Sequence, residues 1–191
     1  MRPVWFFYTV ILGMSFGQVL HQLAVAIREW RSSPGQRPFV PVMLWQVFLA
    51  VLSVQVWLAL TYYRETLATI SILEVAAFLA VPAGILVMSY VLPGPMYGDE
   101  DELSPEKDFA RVRPVFFGVL IALVLINLVH GFAVGEQGID TDLLFQILIV
   151  LGGVIGLSLR RQRWDNLLAV AMIVLLCVYI GIGYSDVSLA A

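Results

Sequence analysis

The sequence predicts an all-α integral membrane protein of six transmembrane helices, and three observations carry that prediction. Of its 191 residues, 60% are hydrophobic and only 13% are charged, whereas a soluble domain is about one quarter charged. Mean hydropathy is +0.90. The charges gather in short connectors between apolar runs long enough to cross a hydrocarbon core of about 30 Å. A single membrane domain spanning 1–191 follows, with no soluble domain attached.

The first span, Val4 to Ile27, has no formal charge. Ser15, Gln18, His21 and Gln22 interrupt it at spacings that place most of them on one helical side. A lipid-facing helix has no use for such a stripe, so this side turns into a bundle. Arg2 and the apolar run superficially resemble a signal peptide. The run is too long for an h-region, however, and no clean cleavage site follows, so it reads as a mature helix.

A connector with Arg28, Arg31 and Arg37, broken by Pro34, Pro38 and Pro41, leads to a second span at Val42 to Thr61. The third covers Leu67 to Leu92 and stops at Pro93-Gly94-Pro95. An acidic loop, 96–112, reads as solvated and cytoplasmic. The fourth span is Pro114 to Val134, the fifth Leu143 to Leu159, and the sixth Leu167 to Tyr184, after Arg160, Arg161 and Arg163.

Basic residues orient the chain. The first, third and fifth connectors hold nine Lys and Arg residues, against Arg2 and Arg64 on the opposite side. The positive-inside bias puts those connectors in the cytoplasm and both termini outside, in a plasma membrane of the bacterial inner-membrane type. The net charge of −3 comes largely from the acidic loop and identifies no substrate. Nothing reads as a nucleic-acid surface. The arginine clusters are explained by topology and lipid headgroups.

The first and fourth spans share an opening: Arg2-Pro3-Val4-Trp5-Phe6 beside Arg113-Pro114-Val115-Phe116-Phe117. Each also carries an amide-x-x-His step, Gln18 with His21 and Asn127 with His130. One alignment register matches the openings and another matches the histidines. A three-helix duplication, with halves 1–95 and 111–191, would necessarily be inverted, because three spans per half is an odd number. Inverted repeats are common in transporters.

Depth sorts the buried polar residues into two groups. An inner cluster holds Gln18, His21, Gln22 and Gln46, and an outer one Glu74, Asn127, His130 and Gln146. Glu74 is the sharpest feature, a carboxylate read as about two turns inside the third span. At that depth it must be protonated, paired or reached by water. His130 is the expected partner, since histidine exchanges protons near neutral pH. The bland alternative is one structural hydrogen bond.

These features predict a membrane transporter or channel for a proton, an ion or a small solute. Glu74, His130, Asn127 and Gln146 would form its relay and the inner cluster its lining. A non-transporting scaffold or partner subunit, in a homo-oligomer or with another membrane protein, is the rival reading. Gly13-x-x-x-Gly17 and Gly152-x-x-x-Gly156 permit close helix packing, by default within the fold, and could also supply contacts in an oligomer that completes the path. A haem-bearing electron carrier is the enzyme-class rival. It is disfavoured because the only two histidines, His21 and His130, fall in opposite leaflets. No metal site or cofactor is expected, and the lone Cys177 sits within an apolar run. The chain lacks nucleophile-elbow, zincin, Walker and dinucleotide motifs.

Overall fold

A computed structural model of the chain describes residues 3–32, 38–63, 72–94, 105–134, 141–159 and 161–184. They form six helices: α1 (Pro3–Ser32), α2 (Val40–Tyr63), α3 (Ile72–Val91), α4 (Pro105–Val134), α5 (Thr141–Ser158) and α6 (Gln162–Gly183). All six are long and apolar enough to span a bilayer. The protein is a multi-pass, all-α membrane protein.

Two helices outrun the expected spans. Both α1 and α4 have 30 residues, about 45 Å of helix, well beyond the hydrocarbon thickness. The excess on α1 carries Arg28, Glu29, Trp30 and Arg31. On α4 it begins at Pro105 and includes the end of the stretch expected to be loop. Glu106 and Asp108 occupy the first turn of α4, where the helix macrodipole favours carboxylates. Pro114 therefore lies inside a helix rather than at its start.

The helices pack in a ring, α1–α3–α4–α5–α6–α2, and α2 also touches α3 across it. Helix α2 is the most buried of the six. Trp45 plugs the inner half of the ring, fully buried, with ring centroids 4.9 Å from Phe117, 5.5 Å from Phe116 and 5.3 Å from Phe48. By contrast, Trp57 is 45% exposed on the outer face of α2. The two sequence halves pack differently: α1 lies along α3, whereas α4 lies along α5.

The α1–α2 seam has a regular layering that composition alone does not show. The Gln22–Gln46 contact fixes the antiparallel register of the two helices. Counting from it along both helices in alternating three- and four-residue steps sets these residues level: Ala26 with Val42, Val19 with Leu49, Ser15 with Ser53, Leu12 with Val56, and Tyr8 with Leu60, the Ser15 and Ser53 hydroxyls each donating to a carbonyl of their own helix. Every member except the half-buried Gln22 is buried. This is the spacing of knobs-into-holes packing, with polar layers set between apolar ones.

Glycines bring α4, α5 and α6 together. A side-chain carbon on Gly156 would run into the Phe117 ring, and one on Gly152 into Met172. At Gly153 it would lie 2.8 Å from Ile121. The second Gly-x-x-x-Gly step thus works inside the fold. The first does not, because Gly13 and Gly17 have nothing within 4 Å of the added carbon.

Candidate functional site

Two of the four inner-cluster residues meet. Gln46, on α2, donates from Nε2 to Gln22 Oε1 on α1 at 2.7 Å. Gln22 donates in turn to the Ser89 carbonyl on α3 at 3.3 Å. Three helices are therefore tied by one amide chain in the inner half. Gln46 is fully buried, yet its Oε1 has no hydrogen-bond partner among the described residues, and neither has the neighbouring Trp45 Nε1. A buried carbonyl and indole N–H left bare are costly unless water supplies the partner. Gln18 is half-buried, while His21 is exposed on α1, off the stripe that holds Gln22.

The outer group is divided. Gln146 is buried on α5 and donates to Asp142 Oδ2, one turn earlier, at 2.7 Å. The other carboxylate oxygen, Oδ1, accepts from the Tyr179 hydroxyl on α6. Tyr184 hydrogen-bonds with Tyr179 and with Gln55 of α2. Burial raises the Tyr184 phenol above its ordinary value while those hydrogen bonds pull it back, so it keeps its proton at neutral pH. Tyr8, buried on α1, packs instead on the Phe78 ring of α3, with centroids 4.3 Å apart. An acid, two phenols and two amides thus gather from α2, α5 and α6.

Glu74, His130 and Asn127 belong to the α3–α4 side instead. Glu74 stands in the first turn of α3, half-buried, at the end where the macrodipole stabilises a carboxylate. The segment preceding α3, on which its expected depth of two turns rests, lies outside the described residues. Gly84 faces Leu123 across α3 and α4. With these helices antiparallel, that register puts His130 near the level of residue 77, about one turn from Glu74. His130 is half-buried and Asn127 exposed.

Sequence reasoning missed a third group. Arg113, read as a topology signal and as the start of a repeated opening, is buried and pairs through Nη2 with Asp165 Oδ2 in the first turn of α6. Its Nη1 donates to the carbonyl of Leu159 and, at 3.3 Å, to that of Gly156. The guanidinium also lies 5.0 Å from the Phe109 ring centroid. One cation thereby caps the C-terminal carbonyls of α5, neutralises a buried acid on α6 and stacks on its own helix. This is a clamp at the inner end, not a relay.

Two hollows mark the surface. One of about 480 Å³ is lined by Ala24, Ile27, Arg28, Arg31 and Ser32 at the inner end of α1. The other, about 320 Å³, lies over the outer half of the α1–α2 seam, with Thr9 and Ser53 among apolar walls. No family model matches the chain, and neither the curated proteins nor the solved structures include a match.

Proposed function

We propose that the protein moves a proton, small ion or small solute across a plasma membrane through its own helix bundle, with both termini outside. One observation carries this reading: polar side chains at membrane depth are hydrogen-bonded across helices in both halves of the bundle, Gln22 with Gln46 and with the Ser89 carbonyl in one and Tyr179 with Asp142 in the other. Polar groups at membrane depth are costly and mark pathways. The outer entrance is the acid-bearing end of the bundle, with Asp142, Gln146 and Tyr179 on one side and Glu74, His130 and Asn127 on the other. The inner lining is Gln22 and Gln46, with Gln18 beside them.

The test is ion and proton flux into liposomes holding the purified protein. Wild-type flux above that of empty liposomes supports the reading, and none defeats it. Glu74→Gln is expected to slow that flux or shift its pH dependence. Unchanged flux and pH dependence would remove Glu74 from the mechanism.

A scaffold or partner-subunit role is favoured by a different observation, the open Gly13 and Gly17 on an exposed face of α1. On that reading the liposomes show no flux, and replacing Gly13 with a bulky residue breaks an assembly.

A further inference from the structure

We propose that the hollow at the inner end of α1 binds one anionic phospholipid, whose phosphate bridges Arg28 and Arg31. The site is independent of the transport reading above. The walls of the hollow, about 480 Å³, are Ala24, Ile27, Arg28, Arg31 and Ser32, two cations and no acid. Small-molecule sites occupy roughly 300–1,000 Å³.

Helical spacing builds the charged part. Arg28 and Arg31 are three residues apart, so their side chains leave neighbouring turns of one face. Both are exposed, and neither forms an ion pair or a side-chain hydrogen bond among the described residues. Glu29, the only acid of α1, is half-buried and stands at facing distance to neither. The helix macrodipole takes a cation in the last turn. That accounts for Arg31, but Arg28 stands a turn earlier. Its carbonyl already accepts from the Ser32 hydroxyl at 2.9 Å. A phosphodiester offers two non-bridging oxygens, one for each guanidinium, in charge-assisted hydrogen bonds.

The apolar wall selects a lipid over a free anion. Toward the bilayer centre, the same side of α1 exposes Ala24, Leu20 and Gly17, at steps of four and three residues. Gly17 has nothing within 4 Å of an added side-chain carbon. An acyl chain therefore has an open track from the hollow into the hydrocarbon. His21 stands beside that track, exposed and with no hydrogen-bond partner among the described residues. It is seven residues from Arg28, about 10 Å along the helix. Arginine side chains snorkel toward the bilayer surface, so an ester oxygen below the phosphate is what the imidazole N–H meets. Trp30, 56% exposed, marks the interface at the level of the arginines. Two guanidiniums against one phosphate favour a headgroup with no cation of its own, of the phosphatidylglycerol type.

The experiment measures lipid retained by the purified full chain in native mass spectrometry. The detergent micelles hold equal amounts of phosphatidylglycerol and phosphatidylcholine with the same acyl chains. Phosphatidylglycerol is expected to be retained several-fold more. Arg28→Gln with Arg31→Gln should abolish that preference. Arg161→Gln with Arg163→Gln, which takes two exposed charges from the same end, should preserve it. Each variant is first shown to elute as a single species with the wild-type unfolding midpoint in lipid-free detergent. No preference in the wild type, or equal losses in the two double variants, overturns the site and leaves only the diffuse pull of a basic surface. Displacement of the lipid by millimolar inorganic phosphate overturns the lipid as ligand, because the arginines would then be reading a soluble anion.

Discussion

A guanidinium buried as deeply as that of Arg113 persists because its two terminal nitrogens and its face are answered, by Asp165, two α5 carbonyls and an aromatic ring, although its Nε has no hydrogen-bond partner among the described residues. Removing one member leaves the other exposed to the full cost of burial. Arg113→Ala is therefore expected to destabilise the fold by about 3–5 kcal/mol, the range for breaking a buried pair. Arg113→Met combined with Asp165→Leu should recover most of that, because neither charge is then stranded. Thermal unfolding in detergent decides the matter; a single variant as stable as wild type would mean that the pair contributes nothing. The two partners differed in legibility. Arg113 was visible as a cation near a span, but Asp165 falls in a turn that hydropathy assigns to a connector. Similarly, Gln22 and Gln46 could be grouped by depth alone. Gln146 stands four residues after Asp142, a pairing open to spacing alone, but Tyr179 could not be added to it, because choosing α6 as the neighbour requires the three-dimensional packing.

Helix number and approximate ends were readable because an apolar run of bilayer length leaves no other solution for the backbone. The inner extensions of α1 and α4 were not, since charged residues in a helix continued beyond the hydrocarbon look the same as charged residues in a loop. The two Gly-x-x-x-Gly steps were likewise equivalent in sequence, and only packing separates them. Gly156→Ala drives a methyl group into Phe117 and is expected to cost about 1–3 kcal/mol, the usual penalty for overpacking. Gly13→Ala meets nothing within 4 Å and should change stability by no more than about 0.5 kcal/mol, as at other open sites. Parallel unfolding curves in detergent distinguish them. A destabilised Gly13→Ala would show that this face is covered by something in the sample, which would favour the partner-subunit reading.

At the scale of the whole molecule, the ring is asymmetric across the membrane. The extended ends of α1 and α4 emerge on the same side and carry Arg28, Arg31 and Arg111. The start of α6, with Arg161 and Arg163, joins them there. The orientation proposed above rests on the positive-inside bias, by which this side would be cytoplasmic and the Asp142–Tyr179 cluster would open outward. Impermeant thiol labelling checks that orientation. Cys177, exposed on α6, is first replaced by Ala, and single cysteines are then placed at Ser32 and at Gly183, exposed at opposite ends of the bundle. Ser32→Cys is expected to react only in inside-out vesicles and Gly183→Cys only in right-side-out ones. The reverse pattern would exchange the two leaflets, so that the Asp142–Tyr179 cluster faces the cytoplasm. Reaction of both cysteines from one side would be more serious, because an even number of crossings cannot separate Ser32 from Gly183 and the six-span ring would have to be redrawn.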